Sequence, residues 1–247
     1  NPKQFVDRIN SYGLNKPLGL PIKGEGVPVI PQPGTNRWSG VALPWMAFGY
    51  GLSVTPLQTL TLYNAVANDG VMVKPIFVSE IKEWNKTIKK FNTEVINPKI
   101  CSQETLDKVQ AVLENVVKKG TGSKLYSKDF SMAGKTGTAQ VNYKDKSKLY
   151  YASSFVGYFP ADEPKYSCII VVHKPNVAAG YYGADVAGPV FKRIAQKIFT
   201  DSPSTNHVKN IDAKVVSQEK NYSEYYKKVE KEERIIPNVK GMDGMDA

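Results

Sequence analysis

The richest chemistry in this 247-residue sequence lies in Ala133-Gly134-Lys135-Thr136-Gly137-Thr138-Ala139-Gln140. Lys135 offers a fixed cation, suited to a carboxylate or to helping a proton move. Thr136 and Thr138 stand two apart, so on a strand their hydroxyls share a face and can converge on one anionic group. Gly137 removes a side chain where another backbone or a ligand must come close. If the strand is an edge, it can also pair with an extended peptide. A bare Lys-Thr-Gly triplet is not specific: at ordinary amino-acid usage it arises by chance in roughly one chain in ten to twenty of this length. On the triplet alone, a glycine-containing strand with a solvated lysine is the favoured account. Gly-Lys-Thr also echoes the end of a phosphate loop. The earlier glycine such a loop requires is missing, however; Asp129 and Phe130 stand there, and Asp129 would repel phosphate.

Other candidate groups offer less. The 2 His residues, His173 at the end of an apolar run and His207 in a polar stretch, read as structural. With 2 Cys residues, Cys101 and Cys168, they do not make a four-ligand zinc site of the usual kinds. Cys168 opens the apolar run Cys-Ile-Ile-Val-Val, where a buried thiol acts as a small hydrophobe. The net charge is +10, and the excess belongs to residues 1–200, with 25 Lys and Arg against 14 Asp and Glu. Such a balance suits nucleic acid, an anionic membrane or cell-wall polymers. No zinc-finger, RRM or KH pattern accompanies it, which excludes the usual nucleic-acid readers. No apolar run approaches the roughly 18 residues of a membrane span.

The elements that must position Lys135 follow from periodicity and capping signals. A short helix is expected over Pro2 to Leu14, with Phe5, Ile9 and Tyr12 near helical spacing and Gly13 as the stop. Residues 18–45 are proline-rich and without period. Thr55-Pro56 starts a helix with Leu57, Leu60, Tyr63, Val66 and Ala67 as its apolar face. Val71 to Ile96 reads as a hairpin or small meander turning at Asn85. Ser102 to Lys119 is a second helix, capped by Ser102 and striped by Leu106, Val109, Val112, Leu113 and Val116. Three antiparallel strands are expected at Met132–Val141, Ala152–Phe159 and Tyr166–His173. A last helix follows over Val186 to Phe199, with Val190, Ile194 and Ile198 on one face. From residue 201 the composition becomes linker-like and then strongly charged.

Several segments together resemble one family. Lys135-Thr136-Gly137-Thr138 within Ala-Gly-Lys-Thr-Gly-Thr-Ala-Gln is similar to the third active-site motif of class B penicillin-binding proteins, the peptidoglycan D,D-transpeptidases. Phe48 to Gln58, Ala65 to Val71, Ser153 to Pro160 and Tyr181 to Phe191 resemble further family segments in the same order. Ile236-Pro237-Asn238-Val239-Lys240-Gly241-Met242 resembles the opening of a PASTA domain, a small module associated with cell-wall binding.

The resemblance implies an α+β fold, an antiparallel sheet packed by helices as in penicillin-binding transpeptidases and serine β-lactamases, incomplete on its N-terminal side. Residues 1–200 are then the C-terminal portion of a transpeptidase domain, 201–234 a linker and 235–247 the truncated start of a PASTA-like domain. It implies Lys135 as a catalytic residue and Thr136, Gly137 and Thr138 as substrate-binding residues. Neither a metal nor an organic cofactor is implied. The implied partners are peptidoglycan stem peptides, β-lactams and proteins of cell division or wall synthesis, with no nucleic acid. The implied place is the bacterial cell envelope, outside the inner membrane, with an N-terminal anchor in a missing half.

The family's S-x-x-K and S-x-N motifs should precede these segments. As text, S-x-x-K occurs at Ser79–Lys82 and Ser217–Lys220, and S-x-N at Ser204–Asn206, all in the wrong element or order. The sequence is therefore expected to be a piece that begins after the second motif and is inactive alone. A penicillin-binding fold kept as a non-catalytic sensor or wall-binding scaffold is the alternative. A serine β-lactamase fits less well, given the proline-rich insert and the PASTA-like end.

Overall fold

A computed structural model describes residues 1–201 apart from 143, 144 and 146. Helix α1 (Pro2–Ser11) starts on Asn1, whose side chain accepts the Gln4 N–H, and Pro2 stands where an N–H would be unpaired anyway. The proline-rich stretch is irregular until α2 (Ala42–Ala47), a six-residue helix with no counterpart in the sequence reading. Helix α3 (Pro56–Ala67) opens with a capping box: Thr55 Oγ1 accepts the Gln58 N–H at 3.1 Å, and Gln58 Oε1 accepts the Thr55 N–H at 2.9 Å.

The expected meander resolves into β1 (Met72–Val73), β2 (Glu80–Glu83), β3 (Lys86–Lys90) and β4 (Val95–Asn97). β1 pairs with β4, while β2 and β3 form a separate hairpin turning at Trp84 and Asn85, both at positive φ. Helix α4 (Gln103–Lys118) is capped by Ser102, whose side chain accepts the Thr105 N–H. A 3-10 turn at Ser123–Leu125 then leads into β5 (Ala133–Val141), β6 (Tyr150–Phe159) and β7 (Tyr166–His173), an antiparallel sheet in the order β5-β6-β7. The chain finishes its described part with α5 (Gly183–Val186) and α6 (Gly188–Asp201).

Alternation along the strands sends Tyr158 to one side of this sheet and Phe155 and Phe159 to the other. Tyr158 and Ala133 join a cluster with Ala65, Leu106 and Leu113 from α3 and α4. Phe155 and Phe159 join one with Val117, Leu125, Phe191 and Ala195. Helices thus cover both faces and leave the edges of the sheet to do other work.

Helices α3 and α6 bury faces other than those their apolar periodicity suggests, whereas α4 keeps most of its expected stripe. Helix α4 buries Leu106, Leu113 and Val117, while Val112 is 61% exposed. Helix α6 buries Gly188, Phe191 and Ala195, and leaves Val190 and Ile194 exposed. Gly188 lets α6 sit close over the 3-10 turn: a Cβ there would stand 2.9 Å from the Leu125 side chain, which would have to give way. Helix α3 buries Gln58 and Thr61 with Ala65 and Val66. The two polar side chains donate to Lys16 O and Leu57 O, at 2.7 and 2.8 Å, which offsets their desolvation. Cys168 is only partly buried, enough to push its thiol pKa up. His207, residues 202–234 of the expected linker 201–234, the expected PASTA-like 235–247 and the text matches at Ser204 and Ser217 lie outside the described residues, while Asp201 ends α6; Lys82 of the third match lies on β2.

Candidate active site

β5 is an edge strand, paired to β6 on one side only among the described residues. Its register to β6 runs without a bulge, from Ala133 opposite Tyr158 to Val141 opposite Tyr150. In an antiparallel pair, alternate residues turn both backbone groups inward or both outward. Lys135 Nζ donates to Thr136 O at 3.0 Å, and Tyr50 Oη accepts the Gln140 N–H at 2.9 Å. The outward residues of β5 are therefore Thr136, Thr138 and Gln140. Thr138 between them presents its N–H and C=O to the open side.

Lys135 lies on the sheet face opposite the two threonines. Its long stem reaches round the free edge, bringing the ammonium to 3.4 Å from Thr136 Oγ1. A central strand would block that path with its neighbour. The side chain is exposed, and no carboxylate pairs with it among the described residues. Lys124 instead pairs with Asp185, at 2.7 Å. Lys135 and Thr136 are thus brought together at one edge.

The two threonine hydroxyls are held differently. Thr136 Oγ1 lies 2.9 Å from Thr121 Oγ1, just past the end of α4. Thr138 Oγ1 accepts the Gly183 N–H at 3.0 Å. Gly137 is half-buried, and the backbone that comes close to it is that of Gly183: a Cβ there would stand 2.5 Å from Gly137 O.

Aromatic side chains border the far end of the edge. Trp45, Phe48 and Tyr50 cluster there, with Trp45 packed edge-on to Tyr50 at 5.8 Å. Gln140 Nε2 donates to Tyr151 Oη at 3.0 Å. Tyr151 stacks on Tyr181 at 4.1 Å between ring centres, and Tyr181 on Tyr182 at 4.4 Å. The Tyr181 pKa is pushed up to about 12, first by its hydrogen bond to the Tyr182 phenol and then by burial and its tyrosine neighbours. A cavity of about 640 Å³ lined by Asn10, Gln32 and Arg37, and one of about 230 Å³ lined by Tyr63, Cys101 and Leu106, draw no residue from β5. No group of three His, Cys, Asp or Glu suited to a metal occurs among the described residues.

Sequence reasoning missed Tyr50, Thr121, Ser153 and Gly183 as neighbours of the strand. The only signal for Gly183 was its place in the Tyr-Tyr-Gly lead-in to a helix. No local spacing points to Tyr50, which meets Gln140 across 90 residues of chain.

Comparison with known proteins bears on the whole described domain. The family model for the penicillin binding protein transpeptidase domain matches residues 1–196. Peptidoglycan D,D-transpeptidase FtsI of Buchnera aphidicola is 32% identical over 199 residues, covering 79% of this chain and 33% of that protein. Stage V sporulation protein D of Bacillus subtilis is 32% identical over 193 residues, covering 75% and 29%. The chain therefore spans about a third of the length of these curated relatives. Penicillin-binding protein 3 of Mycobacterium tuberculosis, in a crystal structure of its complex with ampicillin, superposes with a TM-score of 0.69 at 29% identity, over 82% of this chain and 46% of that one.

Proposed function

Because the chain belongs to the penicillin-binding protein transpeptidase family, we propose that it is the C-terminal portion of the transpeptidase domain of a peptidoglycan D,D-transpeptidase, with β5 forming one wall of the acyl-transfer site. The observation that carries this reading is the edge of β5 itself. There a lysine ammonium, a threonine hydroxyl and the outward backbone N–H of Thr138 face one open side.

In this reading a serine hydroxyl from a segment outside this sequence attacks the carbonyl between the two terminal D-alanines of a stem peptide. A C–O bond forms, the peptide C–N bond breaks, and the departing D-alanine takes a proton. Lys135 helps relay that proton and, with Thr136 and Thr138, holds the terminal carboxylate. The Thr138 N–H is one oxyanion donor; a donor of this kind is typically worth about 3–4 kcal/mol in the transition state. The amine of a second stem peptide then takes the acyl group, which makes the cross-link. A β-lactam enters as a substrate mimic and leaves a slow ester; the likeness to the ampicillin-bound protein supports this.

The same reading puts the parent protein in the bacterial cell envelope, held by an N-terminal anchor. It makes 201–234 a linker and 235–247 the start of a PASTA-like wall-binding module, which favours a role in cell division. This sequence holds no S-x-x-K or S-x-N in the right element or order, so it does not turn over alone. The test is fluorescent-penicillin labelling of the intact protein beside a known transpeptidase. Covalent labelling that a nucleophile variant abolishes is the expected result. No label under conditions that label the control removes the enzyme and leaves a binding module.

A further inference from the structure

We propose that Gly183 and Ser153 are positioning residues that aim the Thr138 hydroxyl at the substrate carboxylate; the inference rests on reading β5 as a wall of the acyl-transfer site.

Gly183 opens α5, and the first N–H of a helix has no partner within it. Tyr182, just before it, supplies no side-chain cap. The Thr138 hydroxyl takes that N–H instead, from 45 residues away. Only a glycine lets the two segments meet so closely. A Cβ on Gly183 would stand 2.3 Å from Ser154 O and 2.5 Å from Gly137 O, both backbone atoms that cannot rotate away.

A second bond clamps the same segment. Ser153 is fully buried and donates its hydroxyl to the Tyr181 carbonyl. Ser153 also stands directly opposite Thr138 in the β5–β6 register. One rung of the sheet therefore carries both the hydroxyl and the clamp that holds its partner.

The chemical consequence follows from what a hydroxyl has: one proton and two lone pairs. The Gly183 N–H occupies a lone pair of Thr138 and fixes the oxygen. The Thr138 proton has no acceptor among the described residues, so it is left as a donor for an anion. Thr136 differs: its proton has an acceptor at hand in Thr121, and its oxygen already meets Lys135. The two threonines, equivalent in the sequence pattern, are thus divided. Thr138 is the aimed donor, while Thr136 meets the carboxylate from within a network it shares with Thr121 and Lys135.

The test uses the intact protein with its nucleophile, and follows the second-order rate of acylation by benzylpenicillin and by its methyl ester. Ser153→Ala and Gly183→Ala are each made alone and with Thr138→Val, with melting temperatures taken in parallel. Ser153→Ala should slow acylation by the free acid about tenfold, the scale of one hydrogen bond to a charged group. The ester should change by no more than about twofold, and nothing further should be lost on the Thr138→Val background. Thr138→Ser, which keeps the hydroxyl, should retain most of the rate. An equal loss for acid and ester, or an undiminished loss on the Thr138→Val background, makes the segment merely structural and overturns the proposal while the site reading stands. Full acylation by Thr138→Val sinks the site reading and the proposal together. If Gly183→Ala does not fold, Ser153→Ala decides.

Discussion

The phenol oxygen of Tyr50 accepts the backbone N–H of Gln140 at 2.9 Å. It closes the outer edge of β5 at its C-terminal end, so the open run is confined to Thr136 and Thr138. Tyr50→Phe keeps the ring against Trp45 but removes the acceptor. The Gln140 amide should then exchange its hydrogen about tenfold faster, as expected for losing one neutral hydrogen bond. The Ala139 amide, which faces β6, should not change. An unaltered Gln140 rate would mean that the phenol does not guard this edge.

Lys135 is exposed, and among the described residues it hydrogen-bonds within its own strand, to Thr136 O and Oγ1. Lys135→Ala should leave the stability of the domain within about 0.5 kcal/mol. In the intact protein it should slow penicillin acylation by at least about tenfold, the low end of what a proton-relay group contributes. Acylation at the wild-type rate would take Lys135 out of the site.

Gly134 and Gly157 face each other across β5 and β6. A Cβ on Gly157 would stand 2.1 Å from Ala133 O, and one on Gly134 would stand 2.5 Å from Val156 O. Either strand must move to admit a methyl group, and β5 carries the candidate site. Gly157→Ala should cost about 3 kcal/mol or more in urea unfolding, at the upper end for overpacked positions. A loss below about 1 kcal/mol would show that the sheet yields more readily than this contact implies.

Tyr158 is fully buried, and its hydroxyl has no hydrogen-bond partner among the described residues. Burial, and then the charge of Glu114, push its pKa up to about 12. An unfolded tyrosine titrates near 10, so between pH 10 and pH 12 the unfolded chain loses a proton that the folded chain keeps. Stability from this group is complete below pH 10 and falls by roughly 2–3 kcal/mol in total as pH climbs to 12. Tyr158→Phe should remove that part of the alkaline decline. At pH 7 it should be neutral or stabilising by about 1 kcal/mol, since no bond is broken. Destabilisation at pH 7 together with an unchanged alkaline slope would contradict both points.

Much of the framework is legible in local residue patterns. The Thr55-Pro56 pair and the Ser102 cap mark helix starts that the structure reproduces. The three strands of the main sheet appear within two residues of their expected starts and at their expected ends. Packing faces were harder. Val190 and Ile194 look like a buried stripe on α6, yet Phe191, with Gly188 and Ala195 beside it, is what meets the core. Apolarity marks residues that can be buried; which of them are is decided by how the neighbouring elements approach.

The residue types of the Lys-Thr-Gly-Thr run, their alternation on a strand and their likeness to a transpeptidase motif can all be read along the chain. Each depends on neighbours within a few positions. Packing alone made β5 an edge, let the Lys135 ammonium curl to Thr136, capped α5 with the Thr138 hydroxyl and set Tyr50 on Gln140. The last two of these bonds join groups 45 and 90 residues apart. No short-range preference encodes such a meeting; it exists only once both faces of the sheet are covered and the remaining polar groups must find partners at its rim.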